Sequence, residues 1–200
     1  MIIKNSKHKL MQVVGIAAAI AILWLSLVSV AEAHAAQKTA ALIGLHPAGP
    51  VVPSFNGPVT GCVFQTYNGH YLTAVGGGGR ITDVIHTDAA RFSSWEKFTL
   101  IDSRDGTSVI RYGIQTFHGF YLTAVGGGGR ITDVIHSDAT QLQAWEKFSL
   151  ISLGYGVYAI ETINGHYLTA VDGGGRITDT IHSDATQIRA WEKFQVSCGH

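Results

Sequence analysis

Residues 69 to 101 read GHYLTAVGGGGRITDVIHTDAARFSSWEKFTLI. Residues 119 to 151 repeat them as GFYLTAVGGGGRITDVIHSDATQLQAWEKFSLI, and residues 165 to 197 as GHYLTAVDGGGRITDTIHSDATQIRAWEKFQVS. Adjacent copies agree at 25 of 33 positions, at spacings of 50 and then 46 residues. A period of this length is one supersecondary unit that cannot bury its apolar face alone, and three copies with no fourth imply a closed ring rather than an open solenoid. Any ligand site inside the unit is therefore expected three times.

Alternation and turn punctuation divide each copy into four short strands. In the first copy these are expected at about Cys62 to Tyr67, Tyr71 to Val75, Ile81 to Thr87 and Trp95 to Ile101. Asn68-Gly69 and Asn164-Gly165 mark hairpin turns in which both central residues take positive φ, and His118-Gly119 is a weaker form of the same signal. Twelve short antiparallel strands with a three-fold repeat and first-to-last closure predict an all-β chain. The architecture expected is a β-trefoil, a six-stranded barrel capped by three hairpins, with repeats at about 61 to 106, 107 to 154 and 155 to 200. Period-two logic places Leu72, Ala74, Ile85, Phe98 and Leu100 in the core. Their equivalents are Leu122, Ala124, Ile135, Phe148 and Leu150, then Leu168, Ala170, Ile181, Phe194 and Val196. Trp95, Trp145 and Trp191, each read as opening a strand, are expected to be buried at the barrel's end, with sugar stacking as the alternative.

The N-terminal part does not belong to this body. Lys4, Lys7 and Lys9 precede an apolar run from Val13 to Val30, and AEAHAA follows with small-residue cleavage positions after Ala33 or Ala35. That layout is a secretory signal over 1 to 35, or an uncleaved anchor, because the run reaches spanning length. Either reading puts the rest of the chain outside the cytoplasm. All four prolines, Pro47, Pro50, Pro53 and Pro58, fall within a linker expected over 36 to 60. The body, 61 to 200, keeps 10 of the 14 Lys and Arg and 13 of the 14 Asp and Glu. A mildly acidic domain has no basic face for phosphate, so nucleic acid is excluded as a partner.

The two cysteines bracket the repeats. In a closed ring the first and last strands are neighbours, and an oxidising compartment lets Cys62 and Cys198 pair. The alternative is two unrelated buried thiols.

The pattern N-G-H-Y-L-T-A at Asn68 to Ala74, then G-G-G, then W-E-K-F, resembles the fascin-like β-trefoil modules of the actin-crosslinking superfamily over essentially the whole body. In exported bacterial proteins that resemblance implies carbohydrate binding in place of actin. The glycine pair followed by V-I-H-T-D or V-I-H-S-D is also similar to the galactose-binding trefoil lectins of mussels, whose sites join a Gly-Gly turn to His-x-Asp-x-His. The first His and the Asp match here as His86 and Asp88, His136 and Asp138, His182 and Asp184. Ala90, Thr140 and Thr186 replace the second His.

The residue types suit a sugar. A carboxylate accepts from neighbouring hydroxyls, an imidazole or backbone amide donates, and an aromatic ring covers the C–H face. In the first copy these roles fall to Asp88, to His86 with Gly77 and Gly78, and to Tyr71 or His70. The second copy supplies Asp138, His136, Gly127, Gly128 and Tyr121, and the third Asp184, His182, Gly173, Gly174 and Tyr167. The structural alternative gives the glycines a permissive turn and Asp88 a cap on the turn before Trp95. Divergence argues for function: Ala89 to Ser94 reads AARFSS, ATQLQA and ATQIRA in the three copies, while Arg80, Thr82, Asp83, His86, Asp88, Glu96 and Lys97 recur unchanged. Arg80, Asp83, Glu96 and Lys97 are expected in surface ion pairs or bound to loop backbone.

Other chemistries lack their signals. The glycine run carries no G-K-[ST], and Ser93 becomes Gln143 and Arg189 in the other copies, which leaves no triad. A metal on the three-fold axis requires His86, His136 and His182 to converge. No enzyme activity, cofactor or metal is expected. The sequence thus points to an exported glycan binder with up to three equivalent sites. The alternative is a fascin-like module that binds a filament or surface protein, and membrane contact arises only through an uncleaved N-terminal anchor. N-terminal sequencing of secreted material is expected to begin at His34 or Ala36. Recovery of the intact N-terminus in a membrane fraction identifies the anchor instead.

Overall fold

The computed structural model describes residues 57–103, 106 and 109–200. The expected signal or anchor over 1 to 35 and most of the linker over 36 to 60 lie outside them. Among the described residues there are twelve strands: β1 Val59–Gln65, β2 Tyr71–Ala74, β3 Ile85–Ala89, β4 Phe98–Asp102, β5 Tyr112–Gln115, β6 Tyr121–Ala124, β7 Ile135–Ala139, β8 Lys147–Gly154, β9 Val157–Glu161, β10 Tyr167–Ala170, β11 Ile181–Ala185 and β12 Phe194–Ser197. β1 pairs with both β4 and β12, β5 with β4 and β8, and β9 with β8 and β12, all antiparallel. Six strands therefore close on themselves. The hairpins β2–β3, β6–β7 and β10–β11 join this barrel through Gln65↔Tyr71, Gln115↔Tyr121 and Tyr167↔Glu161. The fold is a β-trefoil.

Three-fold layers of side chains fill it. Phe64, Ile114 and Ile160 form one layer and Phe98, Phe148 and Phe194 another, all essentially inaccessible to water. Phe64 meets Phe98 edge to face at 5.5 Å, the arrangement that the ring quadrupoles favour. Leu72, Leu122 and Leu168, with Ile85, Ile135 and Ile181, close the hairpin end. Of the expected core residues only Leu150 and Val196 are partly buried, and both still pack against the cluster.

Local structure departs from expectation at three places. The segment Ile81 to Val84 is a bend rather than strand, and β3 starts at Ile85. Asp83 explains this, because its φ of 50° breaks an extended run. In the tight turn before β2, Gly69 donates its amide to Thr66. Only the glycine takes positive φ, at 84°, 87° and 80° in Gly69, Gly119 and Gly165. His118 therefore serves as well as asparagine. The third departure concerns the tryptophans. β4 starts at Phe98, and Trp95 sits three residues earlier in a turn closed by the Lys97 amide on the Ser94 carbonyl at 3.3 Å. Trp95, Trp145 and Trp191 are 46%, 50% and 42% exposed, so the expected burial is incorrect. A side chain at a turn corner points away from the chain's alternation, which resumes only once the ladder begins.

The inward partner in that turn is Glu96. It is buried, accepts from the Thr73 hydroxyl at 2.8 Å and from the Ser93 amide at 2.6 Å, and so ties the turn to β2. Glu146 and Glu192 repeat both bonds. Backbone binding is thus the role of Glu96, and a surface ion pair is not.

Cys62 and Cys198 form a disulfide, 136 residues apart, across the β1–β12 seam where Val63 faces Ser197. Among the described residues no cysteine is free. Closing a loop of this size stabilises the fold by up to about 5 kcal/mol on the chain-entropy account. Reduction is expected to lower the melting temperature by roughly 10 °C or more. Two free thiols found by labelling the folded, unreduced protein contradict the pairing.

Candidate functional site

Alternation along β3 sorts its side chains cleanly. Ile85 and Thr87 are buried, while His86 is half-buried and Asp88 is exposed on the opposite face. β7 and β11 repeat the pattern, so His136 with Asp138 and His182 with Asp184 also share one outward face. The paired residues recognised in the sequence are thus neighbours on a strand, not members of two separate loops.

His86 is held by a residue that the sequence reading did not give that role. Its Nε2 lies 2.7 Å from Oδ1 of Asp83, and the other Asp83 oxygen lies 3.2 Å from the Arg80 guanidinium. Arg80 Nε also donates to the carbonyls of Thr82 and Asp83. The same arrangement recurs as Arg130–Asp133–His136 and Arg176–Asp179–His182, each His–Asp contact again 2.7 Å. Arg80 and Asp83 therefore combine an ion pair with loop-backbone binding. A carboxylate on Nε2 fixes that nitrogen as the donor, which leaves Nδ1 as an acceptor in the neutral ring. The legible signal was the i,i+3 spacing of Asp83 and His86, repeated in all three copies. Each histidine turns to its own aspartate, and among the described residues no group of three or more His, Cys, Asp or Glu is placed to hold a metal ion.

Asp88 makes no hydrogen bond or ion pair with any described residue, and the same holds for Asp138 and Asp184. The turn-capping role that competed for Asp88 belongs to Glu96, which already takes the Ser93 amide. Three charged acceptors are left facing solvent.

The glycine run joins neighbouring repeats. Its backbone is bonded to the next repeat. Gly79 donates to the Ser137 carbonyl at 2.6 Å, the Ser137 amide donates back to Arg80 at 2.8 Å, and the His118 amide donates to Gly77 at 3.0 Å. The pattern passes from the second copy to the third through Gly129, Ser183 and Asn164, and from the third to the first through Gly175, Thr87 and Asn68. A Cβ on Gly78 would lie 2.2 Å from Thr116 Oγ1, one on Gly128 2.3 Å from Thr162 Oγ1, and one on Gly174 2.2 Å from Thr66 Oγ1. The close approach that needs glycine is thus made by the neighbouring repeat, and Gly77, Gly127 and Gly173 are buried in that junction. In the third copy Asp172 replaces the first glycine and keeps its left-handed backbone, φ 56° against 66° and 67° in Gly76 and Gly126. Its carboxylate pairs with Arg176.

Tyr71 stands opposite Ala89, at the far end of β3 from His86, and its ring is engaged edge-on by Phe92 at 5.3 Å. Tyr121 lies beside Leu142 in the equivalent place. Burial and then the nearby Glu161 carboxylate raise the pKa of Tyr167, which keeps that hydroxyl protonated and able to donate. His70 packs against Gly175 of the third repeat, with Nδ1 buried and unbonded.

A further concavity lies elsewhere. A cavity of about 610 Å³ opens on the three-fold axis, lined by Ile81 to Ile85, Ile131 to Ile135 and Ile177 to Ile181. Ile81, Ile131 and Ile177 ring it, each 55–56% exposed.

No protein-family model matches the chain, and no curated protein matches it in sequence. Solved structures do match in shape. The Rhizoctonia solani agglutinin is similar at a TM-score of 0.56 and 14% identity, over 70% of this chain and 96% of its own. SeviL, solved with the asialo-GM1 saccharide, matches at 0.52 and 14%, over 71% and 99%. BEL, a β-trefoil, matches at 0.55 and 11%, over 75% and 98%. These likenesses show the trefoil fold.

The junction glycines give a direct test. Gly78→Ala forces a side chain against Thr116 at a φ of 103° and is expected to cost about 3 kcal/mol or more. Gly165→Asn, at a turn with nothing within 4 Å, is expected to cost much less. Equal melting temperatures for the two variants contradict the interlock.

Proposed function

We propose that the chain is an exported, non-enzymatic glycan-binding β-trefoil with up to three equivalent sites, each centred on the outward face of β3, β7 or β11. The observation that carries this reading is the threefold recurrence of an exposed, unbonded aspartate beside an oriented histidine. A carboxylate with no structural partner, repeated while its neighbours diverge, is suited to accept from vicinal sugar hydroxyls. SeviL's bound saccharide and the agglutinin's name support the same class of ligand on this fold. The disulfide fits an oxidising compartment outside the cytoplasm. Three sites on one rigid body raise avidity on a dense glycan surface well above single-site affinity.

A second reading, the fascin-like interaction module, is favoured by one observation. The ring of half-exposed isoleucines around the axial cavity is an apolar patch of the kind that a protein partner covers.

A glycan array on the full chain separates the two readings, since only the first predicts sugar hits. For hits on the array, the triple substitution Asp88→Asn, Asp138→Asn and Asp184→Asn is expected to weaken each site about ten-fold or more. The melting temperature is expected to stay unchanged, because these carboxylates bond no described residue. Wild-type binding by the triple variant removes the site assignment, and absence of any glycan binding by the parent removes the function.

A further inference from the structure

The tryptophan turns are the part of the surface that the lectin reading leaves unused. Trp95 sits at a corner pinned at four points: its carbonyl accepts from the Ala74 amide at 2.9 Å, Ser94 accepts from Lys97, and Glu96 binds both the Thr73 hydroxyl and the Ser93 amide. Trp145 and Trp191 are pinned in the same way through Ala124 with Glu146 and through Ala170 with Glu192. The buried glutamate makes the backbone rigid, yet each indole stays about half exposed. A water-facing aromatic ring on a pinned backbone is partly pre-organised for a ligand, because the backbone has little conformational freedom left to lose on binding.

Trp95 and Trp145 also each border a concavity. An open notch of about 320 Å³ is lined by Ser93, Ser94, Trp95 and Glu96, and one of about 180 Å³ by Gln143, Ala144, Trp145 and Glu146. The two share no residue, so Trp95 and Trp145 do not merge into one apolar patch. A protein interface would gather its aromatic anchors into a contiguous dry centre. Separate single rings beside exposed polar side chains instead match a ligand with one apolar face and a hydroxylated edge.

We infer that Trp95, Trp145 and Trp191 are stacking platforms for the C–H face of a pyranose ring, one in each repeat; this rests on the glycan-binding reading and adds residues to it. β2 lies between the two features: Thr73 and Ala74 face His86 and Ile85 on one side and bond the Glu96–Trp95 turn on the other. The platform and the His–Asp face therefore flank the same strand, about two strand spacings apart, or ~10 Å. The platforms share the indole and differ in their walls, with Ser93-Ser94 in the first repeat, Gln143-Ala144 in the second and Arg189-Ala190 in the third. They are expected to agree on the ring and to differ in the substituents they prefer.

The test uses the full chain with Trp24→Phe, so that only the three turn tryptophans emit. With a glycan that binds on the array, their fluorescence is expected to shift to the blue and to become protected from acrylamide. Trp95→Ala, Trp145→Ala and Trp191→Ala together are expected to reduce affinity about ten-fold or more per site, while the phenylalanine triple keeps an intermediate affinity. Unchanged emission on saturation, together with wild-type binding by the alanine triple, overturns the platform and leaves the lectin reading intact. A parent that binds no glycan removes the lectin reading and the platform with it. The fluorescence arm needs no substitution at the turns, so misfolding of a variant cannot mask the outcome.

Discussion

The structure depends on a cyclic exchange of backbone hydrogen bonds between repeats. Each glycine run reaches across to the following copy, gives an amide to a serine or threonine carbonyl, and takes two amides back. The third copy returns the exchange to the first, so no repeat has an unmatched end. These bonds form only because the backbones come within reach, and the threonine side chains leave no room for a Cβ at Gly78, Gly128 or Gly174. The glycine run is therefore a joint before it is anything else. Its entropic cost in the unfolded chain is offset by the buried polar groups it satisfies.

That joint sets the position of everything on the outer face. The bonds to Thr87, Ser137 and Ser183 fix β3, β7 and β11 at their centres, one residue away from His86, His136 and His182 on one side and from Asp88, Asp138 and Asp184 on the other. Alternation then turns the histidines and aspartates outward. The left-handed Asp83, two residues before β3, bends the chain so that its carboxylate meets the imidazole that follows it. Site geometry is thus a by-product of how the repeats are joined.

Much of this was legible in the sequence, and the parts that were not have physical reasons. Closure, strand count, the phenylalanine and leucine layers and the Cys62–Cys198 pair follow from repeat number and period-two burial, which act along the whole strand. The glycines were legible as a requirement for close approach, but the sequence does not say what approaches. Trp95 was misplaced because W-E-K-F looks like one alternating run, whereas Glu96 folds inward through two hydrogen bonds and sends the indole out. A buried glutamate beside an exposed tryptophan inverts the usual preferences of both residues. Only the partners of that carboxylate, Thr73 and Ser93, explain it, and they are distant from one another in the chain.

The barrel passes directly along the chain from β4 to β5 and from β8 to β9, which are two of its three junctions between repeats. At the third, β12 meets β1 with no peptide between them, and the Cys62–Cys198 bond stands there. The final residues follow the same seam, with the Gly199 amide on the Thr60 carbonyl. The oxidised body is consequently a covalent macrocycle with no terminal strand left to peel. A protease that cuts once between repeats opens a ring without releasing a fragment.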